Sequence, residues 1–174
     1  GNHLVAVDRH SGQVRWSRPS TRQTTTYALG DDALFGLDYD VPKSSRDQAA
    51  EQSGLLFALR PASGEVLWQK QPEYASPPEH AVDNPRPWLL PIVPELAYNA
   101  KHALLVMTVN RNSVQVFRAA DGTPAWSKSG LAGRDIARVY PPVVTDDYLV
   151  LSQYNGCFGY LFDIVSGEEL GENT

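Results

Sequence analysis

The chain is 174 residues long, 42% hydrophobic and 20% charged, which fits one globular domain with a workable core and excludes a disordered tail. Its formal charge of -5, from 15 basic against 20 acidic residues, excludes the broad cationic surface that grips a phosphate backbone, so nucleic acid is not an expected partner. Apolar runs such as HALLVMTV at 102–109 fall far short of the roughly 20 residues that span a bilayer. The single cysteine, Cys157, excludes an intrachain disulfide and a thiolate-rich metal site. The opening GNHLVAVD has neither a basic nor an apolar leader region, so any leader is expected to have been removed or never present.

In chain order, the first predicted element is an outer hairpin over 1–18: LVAV, a polar turn ending in Gly12, then a run with Trp16. YALGDDALFGL at 27–37 reads as a second hairpin around an Asp-Asp turn. LLFAL, Ser63-Gly64 and Val66-Leu67-Trp68 then repeat the first pattern, closing a unit over 27–70. LAYNAKHALLVMTV at 96–109 opens the next unit, and VQVF, Asp121-Gly122 and Trp126 close it, giving 90–128. VVTDDYLVLSQ at 143–153, then YLF and Ser166-Gly167, give a last unit over 140–174, in which Gly171 stands where the tryptophan is due. The turn glycines follow one another at 52, 58 and 45 residues, the spacing of propeller blades. Each is wanted because the turn needs positive φ, where a Cβ clashes. Four strands per repeat with no helical periodicity predict an all-β propeller of four-stranded antiparallel blades, about three and a half in all, forming one partial domain over 1–174.

Two insertions interrupt the repeat: VPKSSRDQAAEQS at 41–53, between the second and third strands of a blade, and QPEYASPPEHAVDNPRPW at 71–88, between two blades. Antiparallel order puts both at one end of the blades, opposite the glycine turns. Functional residues gather on loops held by a rigid scaffold, so that end is the expected interaction face. Within 71–88, five prolines stiffen the segment, while Tyr74, His80, Arg86 and Trp88 carry contact chemistry suited to a protein or glycan partner. The 129–140 connection adds Arg134, Arg138 and Tyr140. A packed lid over the blades is the other reading of these loops.

The motif A-x-D-x-x-S/T-G-x-x-x-W, fullest at Ala6, Asp8, Ser11, Gly12 and Trp16, resembles the repeat of the pyrroloquinoline-quinone-like, tryptophan-docking propellers. That resemblance implies that Trp16, Trp68 and Trp126 dock against the glycine turns of neighbouring blades. It also implies a bacterial envelope setting, periplasmic or secreted. Members include quinone-dependent alcohol dehydrogenases and a non-catalytic lipoprotein of the outer-membrane barrel assembly machinery, so the resemblance bears on fold more than function. Propellers close with roughly four to eight blades. The chain is therefore expected to be part of a longer propeller, or to be completed by blades of another chain.

Catalytic signals are sparse. Asp31-Asp32 and Asp146-Asp147 resemble acid-base dyads but occupy equivalent turns, where Asp is a standard turn former. His3, His10, His80 and His102 have no ligand spacing, and Cys157 reads as apolar filler. YNGCFGY at 154–160 has GxxG spacing but opens no helix. The dehydrogenase branch implies calcium and a quinone on an aromatic platform, for which Trp88 is the one candidate outside the repeat; packing of the proline-rich loop is its plainer role. No catalytic, cofactor or metal residue is assigned. The expected function is a non-catalytic scaffold binding a protein or glycan; the alternative is part of a quinone-dependent dehydrogenase.

Overall fold

A computed structural model of the chain describes residues 3–20, 24–39, 54–72, 94–109, 113–129, 131, 142–152 and 159–173. These contain fourteen strands and no helix. A two-stranded sheet, β1 (His3–Val7) and β2 (Val14–Pro19), comes first. Three four-stranded sheets follow. The first holds β3 (Thr24–Leu29), β4 (Leu34–Tyr39), β5 (Gly54–Leu59) and β6 (Val66–Lys70). The second holds β7 (Glu95–Asn99), β8 (Leu104–Val109), β9 (Ser113–Arg118) and β10 (Pro124–Ser129). The third holds β11 (Val143–Val144), β12 (Tyr148–Ser152), β13 (Gly159–Asp163) and β14 (Glu169–Asn173). In each sheet spatial order equals chain order and every pairing is antiparallel, so the architecture is a partial β-propeller of three full blades and an outer hairpin.

The cores lie between sheets. Phe35, Leu37, Leu56 and Ala58 of one blade pack against Leu105, Met107 and Phe117 of the next. On the other side of that second blade, Leu104, Val106, Val114 and Val116 meet Leu149, Leu151, Phe162 and Ile164. Because middle strands are covered on both faces, both faces are apolar and the alternation of a one-sided sheet is lost: β5 is buried at five of its six residues.

Each outer turn solves one problem in one way. Gly12, Gly64, Gly122 and Gly167 have φ of 71, 72, 70 and 71°, a region a Cβ strains. The strand that follows slips register just after the turn, as between Ala58 and Leu59 opposite Val66 and Trp68. A bulge of this kind re-aims side chains. Trp16, Trp68 and Trp126 consequently leave their own sheets and lie over Gly64, Gly122 and Gly167 of the next, where a Cβ would stand within 2.7 Å of the ring. Their indole N–H groups donate to Pro61 O at 2.8 Å, Ala119 O at 2.9 Å and Ile164 O at 2.9 Å.

The turns are also closed by carboxylates. Asp163 accepts from the backbone N–H groups of Val165 and Ser166 and from the Ser166 hydroxyl, which holds its carboxyl below the usual range. Asp8 does the same with His10 and Ser11, reinforced by Arg15.

Candidate interaction face

Antiparallel order sorts the connections by end. The glycine turns and the turns 30–33, 100–103 and 145–147 lie at one end of the blades. The connections 40–53, 73–93, 110–112, 132–141 and 153–158 all leave from the other. The residues expected to make contact, Tyr74, His80, Arg86, Trp88, Arg134, Arg138 and Tyr140, lie in these connections and outside the described residues, as do 41–53, His80 and Cys157. What the structure describes is the rim from which they depart.

That rim gathers polar groups the sequence reading did not single out. Asp38 and Tyr39, the last residues of β4, are 3% and 4% exposed. The Thr25 hydroxyl donates to Asp38 across the β3–β4 pair, and Ser20 Oγ stands 3.5 Å from that hydroxyl. Tyr39 Oη is buried and has no hydrogen-bond partner among the described residues; a buried hydroxyl left so costs about 1–3 kcal/mol. Burial, with the Glu95 charge nearby, pushes the Tyr39 phenol up. Glu95 opens β7 at the same end, and burial raises its carboxyl in turn. The arrangement can donate and accept hydrogen bonds at the seam between two blades. Apart from these residues, a groove of about 260 Å³ runs from Gln71 and Pro72, where the 71–88 segment begins, to the Gly122 turn, and is lined by Phe117, Pro124 and Trp126 with Gln115.

The opposite end is structural in its chemistry. Asp31 and Asp32 form the β3–β4 turn, and Asp31 accepts from Tyr98 Oη at 3.3 Å. Asp147, in the β11–β12 turn, takes Lys101 Nζ at 2.6 Å and His102 Nε2 at 3.4 Å, and the Lys101 bond holds its carboxyl low. Asn99, 3% exposed, donates to Thr145 O at 2.7 Å and Asp146 O at 3.1 Å while its own oxygen takes the His102 N–H. The signal that could have found it is its register. With Leu34, Leu104 and Leu149 aligned, Asn99 stands where the other blades have Leu29 and Val144.

Among the described residues no three His, Cys, Asp or Glu side chains form a metal-binding cluster.

No protein-family model matches the chain, and no curated protein matches it. Solved structures do. The chain is similar to BamB from Moraxella catarrhalis, at a TM-score of 0.57 and 17% identity over 98% of this chain and 46% of that one. It is similar to the Dos1 propeller at 0.64 and 8% identity, covering 97% and 38%. It is similar to quinohemoprotein alcohol dehydrogenase ADHIIG from Pseudomonas putida HK5 at 0.58 and 14% identity, covering 98% and 31%. At such identities the likeness shows the fold, a β-propeller, and the chain spans less than half the length of each.

Proposed function

We propose that the chain is a non-catalytic propeller scaffold that binds a protein, or a glycan, through the end bearing 41–53, 71–88 and 129–140, in a periplasmic or secreted setting. The observation that carries this reading is the division of labour between the two ends. At the glycine-turn end Asp31, Asn99, Asp147 and Asp163 are engaged in turns and seams. At the other, the long connections leave from a rim where Tyr39 Oη has no hydrogen-bond partner among the described residues, and an aromatic and amide groove begins at Gln71 and Pro72 and reaches the Gly122 turn. Rings that flank amides suit the stacking and hydrogen bonding of an extended peptide or a sugar. The likenesses to BamB and to an alcohol dehydrogenase fit a scaffold and an enzyme alike, so they support the fold beneath the reading and not the choice between them.

The test compares the chain with a variant carrying Tyr74→Ala, Arg86→Ala and Trp88→Ala as bait for envelope proteins and for cell-wall and surface polysaccharides. A partner held by the chain and by a Leu170→Ala control, but lost with the triple variant, supports the scaffold. Equal capture by all three sinks it. Pyrroloquinoline quinone with calcium is the counter-probe: a ligand at 100 times its Kd adds about 2.7 kcal/mol to the folded state, so a clear rise in Tm would favour the dehydrogenase reading.

A further inference from the structure

The repeat carries a second set of equivalent positions besides the docked indoles. Two residues after each docked tryptophan stands a cation: Arg18, Lys70 and Lys128. Seven residues before the glycine of the following turn stands its counterpart on the next blade: Phe57, Gln115 and Tyr160. Strand alternation directs each pair into the seam between its two sheets. At the first seam the Arg18 guanidinium lies 5.1 Å from the centroid of Phe57, which is 1% exposed. At the third, Tyr160 packs into the seam with its ring 6.0 Å from that of Phe162. The middle seam has an amide where the other two have a ring.

A groove stands in that ring's place. Lys70 and Gln115 both line the opening of about 260 Å³ that runs from Gln71 and Pro72 to the Gly122 turn. The Lys70 stem is already seated, since a Cβ on Gly122 would stand 3.0 Å from its Cγ. Its ammonium makes no hydrogen bond or ion pair among the described residues. Asp121, which feels that charge, is bound instead to the Thr123 N–H and hydroxyl at 2.9 and 2.7 Å. Pro124 and Ser127 bring β10 to the groove, and β10 is the outermost strand of its sheet, next to β9 alone among the described strands. An outer edge of this kind can take up an extended peptide.

We infer that this groove receives an aromatic side chain, Phe or Tyr, carried by an extended segment of the protein partner. The two equivalent seams specify the occupant: a flat ring beside the cation that follows the indole, as Phe57 lies beneath Arg18, and against the floor residue Phe117, as Tyr160 lies against Phe162. A cation over a ring face attracts it. The inference rests on the protein-binding reading and adds to it what the partner presents and where.

The test pans a displayed library of random peptides on the whole protein and measures the affinity of the best synthetic peptide. Enriched peptides should share a Phe or Tyr, and changing it to Leu should weaken binding about tenfold or more. Gln115→Phe, which supplies the ring from the chain itself, should also weaken that peptide about tenfold or more while leaving Tm equal or higher. Lys70→Met, which keeps the stem and removes the charge, should weaken it several-fold, and it decides the matter if Gln115→Phe lowers Tm. No enrichment, enriched peptides without a ring, or affinity unchanged in both variants would each overturn the inference. Three other occupants would overturn it as well. The chain's own segment is the occupant if peptides bind only once Tyr74→Ala and Trp88→Ala are introduced. A second copy is the occupant if the protein self-associates until Gln115→Phe is introduced, and a glycan if that variant releases a bound polysaccharide. Envelope-protein capture that is lost with the 71–88 triple variant but unchanged by Gln115→Phe would overturn this inference alone and leave the scaffold reading standing.

Discussion

The blades are joined by two seams of different kinds. The outer seam is the same three times over: an indole of one blade on the glycine turn of the next, with its N–H on the carbonyl three residues upstream. The inner seam differs at each joint. Between the first two full blades it is Tyr98 stacked on Phe35, centroids 5.4 Å apart, and bonded to Asp31. Between the next two it is the buried Asn99 amide with Lys101 and His102 on Asp147. A repeated solution is set by backbone geometry, and an individual one by local side-chain choice.

The sharpest way to break the comparison is to remove an indole. Trp68→Ala should lower stability by about 3–5 kcal/mol in denaturant unfolding, and Trp68→Phe, which keeps a ring but drops the N–H donor, by about 1 kcal/mol. A loss below about 1 kcal/mol for Trp68→Ala would mean that the outer seam contributes little. Next come the glycines. Gly64→Ala and Gly12→Ala both bear the left-handed cost of about 1–2 kcal/mol, but only Gly64→Ala also drives a methyl into Trp16, adding about 1–3 kcal/mol. Equal losses would show that the ring is not seated on Gly64.

At the inner seam, Asn99→Ala strands the Thr145 and Asp146 carbonyls and the His102 N–H, for about 1–3 kcal/mol. Amide exchange should quicken in 143–152 and not in 24–39. Uniform quickening would mean that the seams act as one unit.

The smallest effects are read by pH, and their signs oppose. Asp163 has a lowered carboxyl in the folded chain, so its contribution is complete above the ordinary value of 3.8 and is lost as pH falls below it. Asp163→Asn should therefore flatten the acid limb of the Tm curve. Glu95 is raised by burial, so stability is lost as pH rises through its folded value, above the ordinary 4.5. Glu95→Gln should raise Tm at neutral pH and change little below pH 4.5. The reverse order of signs would contradict the rim described for Glu95.

What was legible in the sequence follows from the same contrast. Positive φ at a tight turn leaves glycine as nearly the only choice, so Gly12, Gly64, Gly122 and Gly167 mark the hairpins, and the three tryptophans mark the strands after them. Asn99, Tyr98 and Asp31 were not legible, because many polar pairs can close a gap between two turns and no spacing announces which. The rim was missed for a related reason: Asp38 and Tyr39 end a strand whose pattern reads as apolar, and only the fold shows that they are buried together. Tyr74, Arg86 and Trp88 were singled out by residue type alone, and their connection lies outside the described residues.

Among the described residues the first hairpin meets the blade after it through Trp16 on Gly64 and through Arg18, 5.1 Å from the Phe57 centroid. Units that touch only their neighbours behave as a one-dimensional array, in which opening at an end breaks a single interface and opening in the middle breaks two. Unfolding of these residues should thus be graded: Leu4–Val7 exchange first, while Leu104–Met107, clasped on both sides, exchange only in the final, cooperative step.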